Sequence, residues 1–158
     1  FSGIKETYSD IKLVLVGTGI TYQVVIEKIQ NLGLKKTVFP IGFRKDISEL
    51  LAQADCFALC SKVEGVPGVI LEAGSQKKPS ISTNVGGVKE VLINNETGYI
   101  IENFDKDEYT RKLIQLVSNK KLNSEMGGKA YKLVVEEFNP EKNVKKFENL
   151  YERLLIPH

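Results

Sequence analysis

Apolar positions along the chain form short runs that alternate with helical stripes. The run Ile11-Lys12-Leu13-Val14-Leu15-Val16 is followed by Gly17-Thr18-Gly19. This order predicts a strand, a tight turn and a helix over residues 22–32, with Gly33 at the helix stop. Residues 36–43 predict a second strand ending in Gly42, and residues 46–54 a short helix. The stretch Ala54-Asp55-Cys56-Phe57-Ala58-Leu59-Cys60 is bounded by polar residues, as a buried parallel strand is, and predicts the central strand over 56–60. Short strands over 80–82 and 99–101, with a helix over 88–93 between them, continue the alternation. Strands alternating with helices define an α/β protein, a parallel sheet with helices on both faces.

After Asn103 the period becomes helical. Leu113, Leu116 and Val117 make one stripe, Met126, Ala130, Leu133 and Val134 a second, and Val144, Phe147, Leu150, Tyr151 and Leu154 a third. All three read as core-facing stripes. Asn139-Pro140-Glu141 is a start signal for the last helix, a cap followed by proline at the first helical position. Residues 1–10 resemble the end of a helix, so a strand and half a helix are expected upstream of Phe1.

The most informative chemistry sits between the strand at 56–60 and the next helix. The segment Glu64-Gly65-Val66-Pro67-Gly68-Val69-Ile70-Leu71-Glu72 places two glycines and a proline in the loop, with a helix from about Gly68 to Lys77-Lys78-Pro79. The first N–H groups of a helix have no internal partner and carry partial positive charge, so a diphosphate docked there is stabilised without a basic side chain. Gly65 and Gly68 let ligand and backbone approach closely. Glu64, at the strand's end, can accept hydrogen bonds from sugar hydroxyls, and Glu72, about one turn into the helix, from a ribose diol.

Composition narrows the alternatives. With 158 residues the chain is expected to be one domain, residues 1–158, burying roughly 70% of its unfolded surface. The net charge of +2 comes from interspersed acids and bases, which indicates neither a nucleic-acid footprint nor a polybasic membrane patch. The lysine doublets Lys35-Lys36, Lys77-Lys78, Lys120-Lys121 and Lys145-Lys146 read as solvated helix ends and turns, a peripheral membrane-surface role being the alternative. Cys56 and Cys60, on one strand, stand about 13 Å apart at Cα, too far for a disulfide, and read as small buried hydrophobes. The single histidine is His158, so no Cys/His cluster offers a zinc site and no metal is expected. With no leader pattern and no apolar run of about 18 residues, a cytoplasmic location is expected, peripheral to the inner face of the membrane if the lysines engage it.

EGVPGVILEA followed by KKPSISTNVGGVKEVLINNETGYII resembles the donor-binding half of a retaining glycosyltransferase of family 4, among the glycosyl transferases of group 1. The two-glutamate motif, Lys78-Pro79 before a short strand, Gly86-Gly87 followed by Glu90, and Thr97-Gly98 before the last strand stand in that family's order, over about residues 11–155. The resemblance implies a Rossmann-like domain forming one half of the two-domain GT-B fold. It makes residues 1–158 the C-terminal nucleotide-sugar domain, lacking its first strand and the N-terminal acceptor domain. It also implies Glu64 as the catalytic residue contacting the donor sugar. Gly65, Val66, Pro67, Gly68 and Val69 become the donor-binding loop and helix start, Gly68 and Val69 presenting N–H groups to the phosphate, and Glu72 becomes the ribose ligand. Gly42-Phe43-Arg44 would lie by the nucleobase mainly through backbone atoms, the Arg44 side chain being solvated. The donor implied is a UDP- or GDP-sugar and the acceptor a glycan or lipid-linked glycan held by the missing N-terminal domain. Two departures stand out. Val66 replaces a common aromatic residue, which bears on sugar identity, and Gly74-Ser75-Gln76-Lys77 replaces a run of small residues, which bears on helix packing.

Other readings compete less well. Gly17-Thr18-Gly19 lacks the third glycine of the dinucleotide fingerprint, and Phe39 and Gly42 stand where an acidic residue would end the next strand, so no nicotinamide cofactor is expected. No serine, cysteine or lysine has a base beside it for covalent hydrolysis. A nucleotide-sugar epimerase and a non-catalytic nucleotide-sugar-binding module remain the alternative functions. Gly86-Gly87 either lines the cleft or makes a turn that needs unusual φ.

Overall fold

The computed structural model describes residues 1, 3, 4, 8 and 10–155. The helix end expected over residues 1–10 falls in good part outside them, as does His158. The chain divides into two compact units, Phe1–Ile47 and Ser48–His158.

In the first unit, strands β1 (Leu13–Val16) and β2 (Val38–Gly42) flank helix α1 (Tyr22–Asn31). They pair in parallel, Leu13 opposite Val38 and Val14 opposite Phe39, with an irregularity between Leu15 and Val16. A βαβ crossover is what a parallel pair requires. Pro40 lies inside β2 and is tolerated because β2 has a single partner strand among the described residues. Ile29, Leu34 and Val38 form a buried cluster packed by Leu13, Leu15 and Val25. The other face, with Val14, Val16, Phe39 and Ile41, is exposed.

In the second unit, α2 (Ile47–Gln53), whose first residue marks the boundary, leads into β3 (Phe57–Leu59), α3 (Gly68–Ser75), β4 (Ser80–Thr83), α4 (Val88–Val91) and β5 (Gly98–Ile101). A 3₁₀ turn (Glu102–Phe104) precedes α5 (Lys106–Ser118), α6 (Lys120–Glu137) and α7 (Pro140–Leu155). The three strands are parallel in the order β3-β4-β5, with Phe57 opposite Ser80 and Ser80 opposite Gly98. Every residue of β4 and β5 is buried, whereas β3 is half-buried and shorter than the expected 56–60. Cys60 is therefore exposed and only Cys56 is partly buried; the expectation of two buried thiols fails at Cys60 because the strand has already ended.

Ile70, Val88, Val91, Leu92 and Ile100 make the buried core between α3, α4 and the sheet, with Phe57, Leu59, Leu71, Val85 and Phe138 packed against it. α3 also packs against α6. A Cβ on Gly74 would lie 2.9 Å from Val134 Cγ2 and 3.2 Å from the Ala130 carbonyl oxygen, so glycine there lets α6 lie close against α3. Asp105 caps α5, its Oδ1 accepting from the N–H groups of Asp107 and Glu108 at 2.9 Å. Asn139 caps α7 as expected, accepting from Glu141 N–H at 2.9 Å. The stripe of α7 departs from the expectation of a core face. Val144, Phe147, Leu150, Tyr151 and Leu154 are all exposed, because no described element covers that helix.

Candidate functional site

The loop from Cys60 to Pro67 leaves the carboxyl end of β3, the end at which ligands of parallel sheets collect. It delivers the chain to α3 through Pro67, which is buried and extended (φ −75°, ψ 95°). No side chain among the described residues caps α3. The Ile70 N–H turns back to the Pro67 carbonyl at 3.1 Å; the N–H groups of Gly68 and Val69, ahead of it, have no acceptor within the helix. Gly68 and Val69 are exposed, as are Gly65 and Val66.

Gly65 and Gly68 differ from the other glycines of this region. A Cβ on either would meet nothing within 4 Å, and neither has positive φ. Neither backbone strain nor crowding by the described residues calls for glycine at either position. Glu64 is half-buried at the loop's midpoint, and Glu72 is exposed on the second turn of α3. Among the described residues neither carboxylate has a hydrogen bond or ion pair. Glu72 contributes its backbone oxygen to Ser75 Oγ at 2.6 Å. Unpaired acceptors at both ends of a row of free N–H groups can hold hydroxyls on either side of an anion.

The second wall comes from the exit of β4. Thr83 Oγ1 donates to the Ser61 carbonyl at 2.7 Å, and the Gly87 N–H donates to the Gly65 carbonyl at 2.6 Å. Gly86 adopts φ +52°, and a Cβ there would stand 2.0 Å from the Glu64 carbonyl oxygen. The turn of unusual φ is thus made at Gly86, pressed onto the Glu64 loop, while Gly87 has an ordinary φ of −86°. Val66 lies over it, its Cγ2 2.8 Å from where a Gly87 Cβ would be. Farther along, Glu102 accepts from Asn84 Nδ2 at 2.6 Å and pairs with Lys89 Nζ at 3.2 Å. Those two donors, Asn84 foremost, hold the Glu102 carboxyl below the usual glutamate range.

Glu64, Gly65, Val66, Pro67, Gly68, Val69 and Glu72 are therefore brought together on one loop and helix start of the second unit. Arg44 belongs to the first unit, where it is exposed and forms a two-point pair with Asp46, its Nε donating to Asp46 Oδ1 at 2.7 Å and its NH2 to Oδ2. This hydrogen-bonded pairing raises the guanidinium's pKa and lowers that of Asp46. The solvated side chain expected for Arg44 thus has a carboxylate partner two residues on. The tie from Thr83 to Ser61 has no signal in the sequence, because it joins residues 22 apart through one hydroxyl. No group of three His, Cys, Asp or Glu side chains suited to a metal occurs among the described residues. No helix among them is long and apolar enough to cross a membrane.

Parallel strands alternating with helices, one of them feeding a glycine-bearing loop and an uncapped helix start, make this a Rossmann-like α/β protein. Residues 1–133 match the family model for glycosyl transferases group 1, and the chain belongs to that family. It is 36% identical over 145 residues to the N-acetyl-alpha-D-glucosaminyl L-malate synthase of Bacillus anthracis, covering 92% of this chain and 38% of that protein. It is 33% identical over 148 residues to the UDP-Gal:alpha-D-GlcNAc-diphosphoundecaprenol alpha-1,3-galactosyltransferase of Escherichia coli, covering 93% of this chain and 38% of that protein. Among solved structures it resembles the C-terminal domain of the glycosyl transferase group 1 family protein LpcC from Francisella tularensis. That match has a TM-score of 0.78 and 26% identity, covering 88% of this chain and 75% of that one. The chain thus spans well under half the length of the two enzymes.

Proposed function

We propose that residues 1–158 are the C-terminal donor-binding domain of a retaining glycosyltransferase of family 4. Among the described residues the start of α3 is uncapped and is flanked by two carboxylates without a partner and by two glycines whose Cβ positions meet nothing within 4 Å, and this carries the reading. Gly68 and Val69 N–H groups hold the donor diphosphate and stabilise it as it leaves, as fixed dipoles do for developing charge. Glu64 takes the sugar side and Glu72 the ribose. Gly65, Val66 and Pro67 shape the loop between them.

The acceptor, a glycan or lipid-linked glycan, attacks from the face by which the nucleotide departs, presented by an N-terminal domain ahead of Phe1. A strand from that upstream segment completes the domain; β1 has β2 as its one partner among the described residues, leaving an edge to receive it. The LpcC match, to a C-terminal domain, supports this placement. The Escherichia coli relative's name, with its UDP-Gal donor and diphosphoundecaprenol acceptor, supports a uridine donor and a lipid-linked acceptor, and with the latter peripheral contact with a membrane. Nothing in the site favours an epimerase, which needs acid and base groups about the sugar.

The test compares the complete protein with this chain alone, supplied with a UDP-sugar and a lipid-linked acceptor. Transfer by the complete protein and none by the chain is expected, since half a cleft neither holds the acceptor nor excludes water. Steady transfer by the chain alone contradicts the two-domain reading.

A further inference from the structure

Glu64 lies between two backbone anchor points, and both anchors come from the exit of β4. Ahead of it, the Ser61 carbonyl accepts from Thr83 Oγ1 at 2.7 Å. Immediately after it, the Gly65 carbonyl accepts from the Gly87 N–H at 2.6 Å. Thr83 is 5% exposed, so its hydroxyl has little water to exchange for Ser61, and losing it leaves a carbonyl short of a partner. The Gly86 turn fits against the Glu64 carbonyl only without a side chain, since its Cβ would intrude to 2.0 Å at a φ of +52°. A Cβ on Gly87 would meet Val66 Cγ2 at 2.8 Å, Glu90 Oε1 at 2.9 Å and the Gly65 carbonyl oxygen at 3.0 Å.

We infer that Thr83 and the Gly86-Gly87 turn are positioning residues for the donor site, holding the Glu64–Gly68 loop in the conformation that receives the nucleotide. The inference rests on reading that loop as the nucleotide-sugar site. Thr83 touches no ligand in this account; it acts through Ser61 on the placement of Glu64 and, through the same loop, on the start of α3. Displacements of about 1 Å in such a frame cost binding and rate far out of proportion to any loss of fold.

The experiment titrates UDP and GDP into the chain by NMR, at a temperature well below the melting point of every variant, with melting points measured separately. Thr83→Val keeps the shape and deletes the hydroxyl; Thr83→Ser keeps the hydroxyl. Affinity is expected to fall at least fivefold in Thr83→Val and to return to within twofold of the unsubstituted chain in Thr83→Ser, whichever of them melts earlier. Gly86→Ala is expected to abolish binding. Should Thr83→Val bind as the unsubstituted chain does, or Thr83→Ser lose as much as Thr83→Val, the positioning role is overturned while the donor site stands. Failure of the unsubstituted chain to bind either nucleotide overturns the donor reading itself, a separate and recognisable result.

Discussion

Gly127 of α6 lies against the carbonyl oxygen of Lys77 so closely that a Cβ on it would stand 2.0 Å from that oxygen. The contact seats α6 on the end of α3, where Lys77 turns the chain with φ +57° toward Pro79 and β4. Its neighbour Gly128 is exposed, and a Cβ there would meet nothing within 4 Å.

Adjacent glycines in one helix should therefore respond with opposite sign. Gly128→Ala should stabilise by about 0.5–1 kcal/mol through helix propensity. Gly127→Ala should destabilise by about 1–3 kcal/mol, because the obstacle is backbone and cannot rotate away. Urea denaturation midpoints check both; stabilisation by Gly127→Ala would mean that the α6 contact is looser than described.

Glu72→Gln in the complete protein keeps size and helix propensity while removing the charge that strengthens hydrogen bonds to a diol. At about 1.5–3 kcal/mol for a charged partner, nucleotide affinity should fall about tenfold or more, with little change in melting temperature. Unchanged affinity by calorimetry removes Glu72 from the site.

Glu64→Ala should separate sugar from nucleotide. Turnover and sugar-nucleotide binding should suffer more than binding of the free nucleoside diphosphate. Equal weakening of both ligands contradicts the assignment of Glu64 to the sugar side.

The two thiols should differ in reactivity. Burial, reinforced by the charge of Asp55, pushes the Cys56 thiol up to about 12, leaving about one molecule in ten thousand as thiolate at pH 8. Cys60 is exposed. Iodoacetamide at pH 8 should label Cys60 in the folded chain and reach Cys56 on unfolding, as peptide mass analysis would show; Cys56 labelled first contradicts the burial.

Much of this fold is legible in the sequence because local signals and tertiary structure agree. The runs at 11–16 and 80–82 and the Asn139-Pro140 cap become β1, β4 and the start of α7 with shifts of a residue or two. The candidate loop is legible for the same reason, since Gly65, Pro67 and Gly68 between a strand and a helix admit few geometries. What is not legible depends on contacts distant in sequence. The periodic stripe of α7 is a true helical period, yet periodicity reports a face and not what covers it, so Phe147 and Leu154 are exposed. Cys60 follows an apolar run whose strand ends one residue earlier. Thr83 is one threonine among several, and only the fold places its hydroxyl on Ser61.

Titrating UDP into ¹⁵N-labelled chain and following backbone amide shifts shows whether the start of α3 receives the donor diphosphate. Shift changes should concentrate at Gly65, Gly68 and Val69, with millimolar to high-micromolar affinity, about −4 to −6 kcal/mol. Changes clustered instead at Gly17 and Gly19, with adenine dinucleotides preferred over UDP, would contradict it.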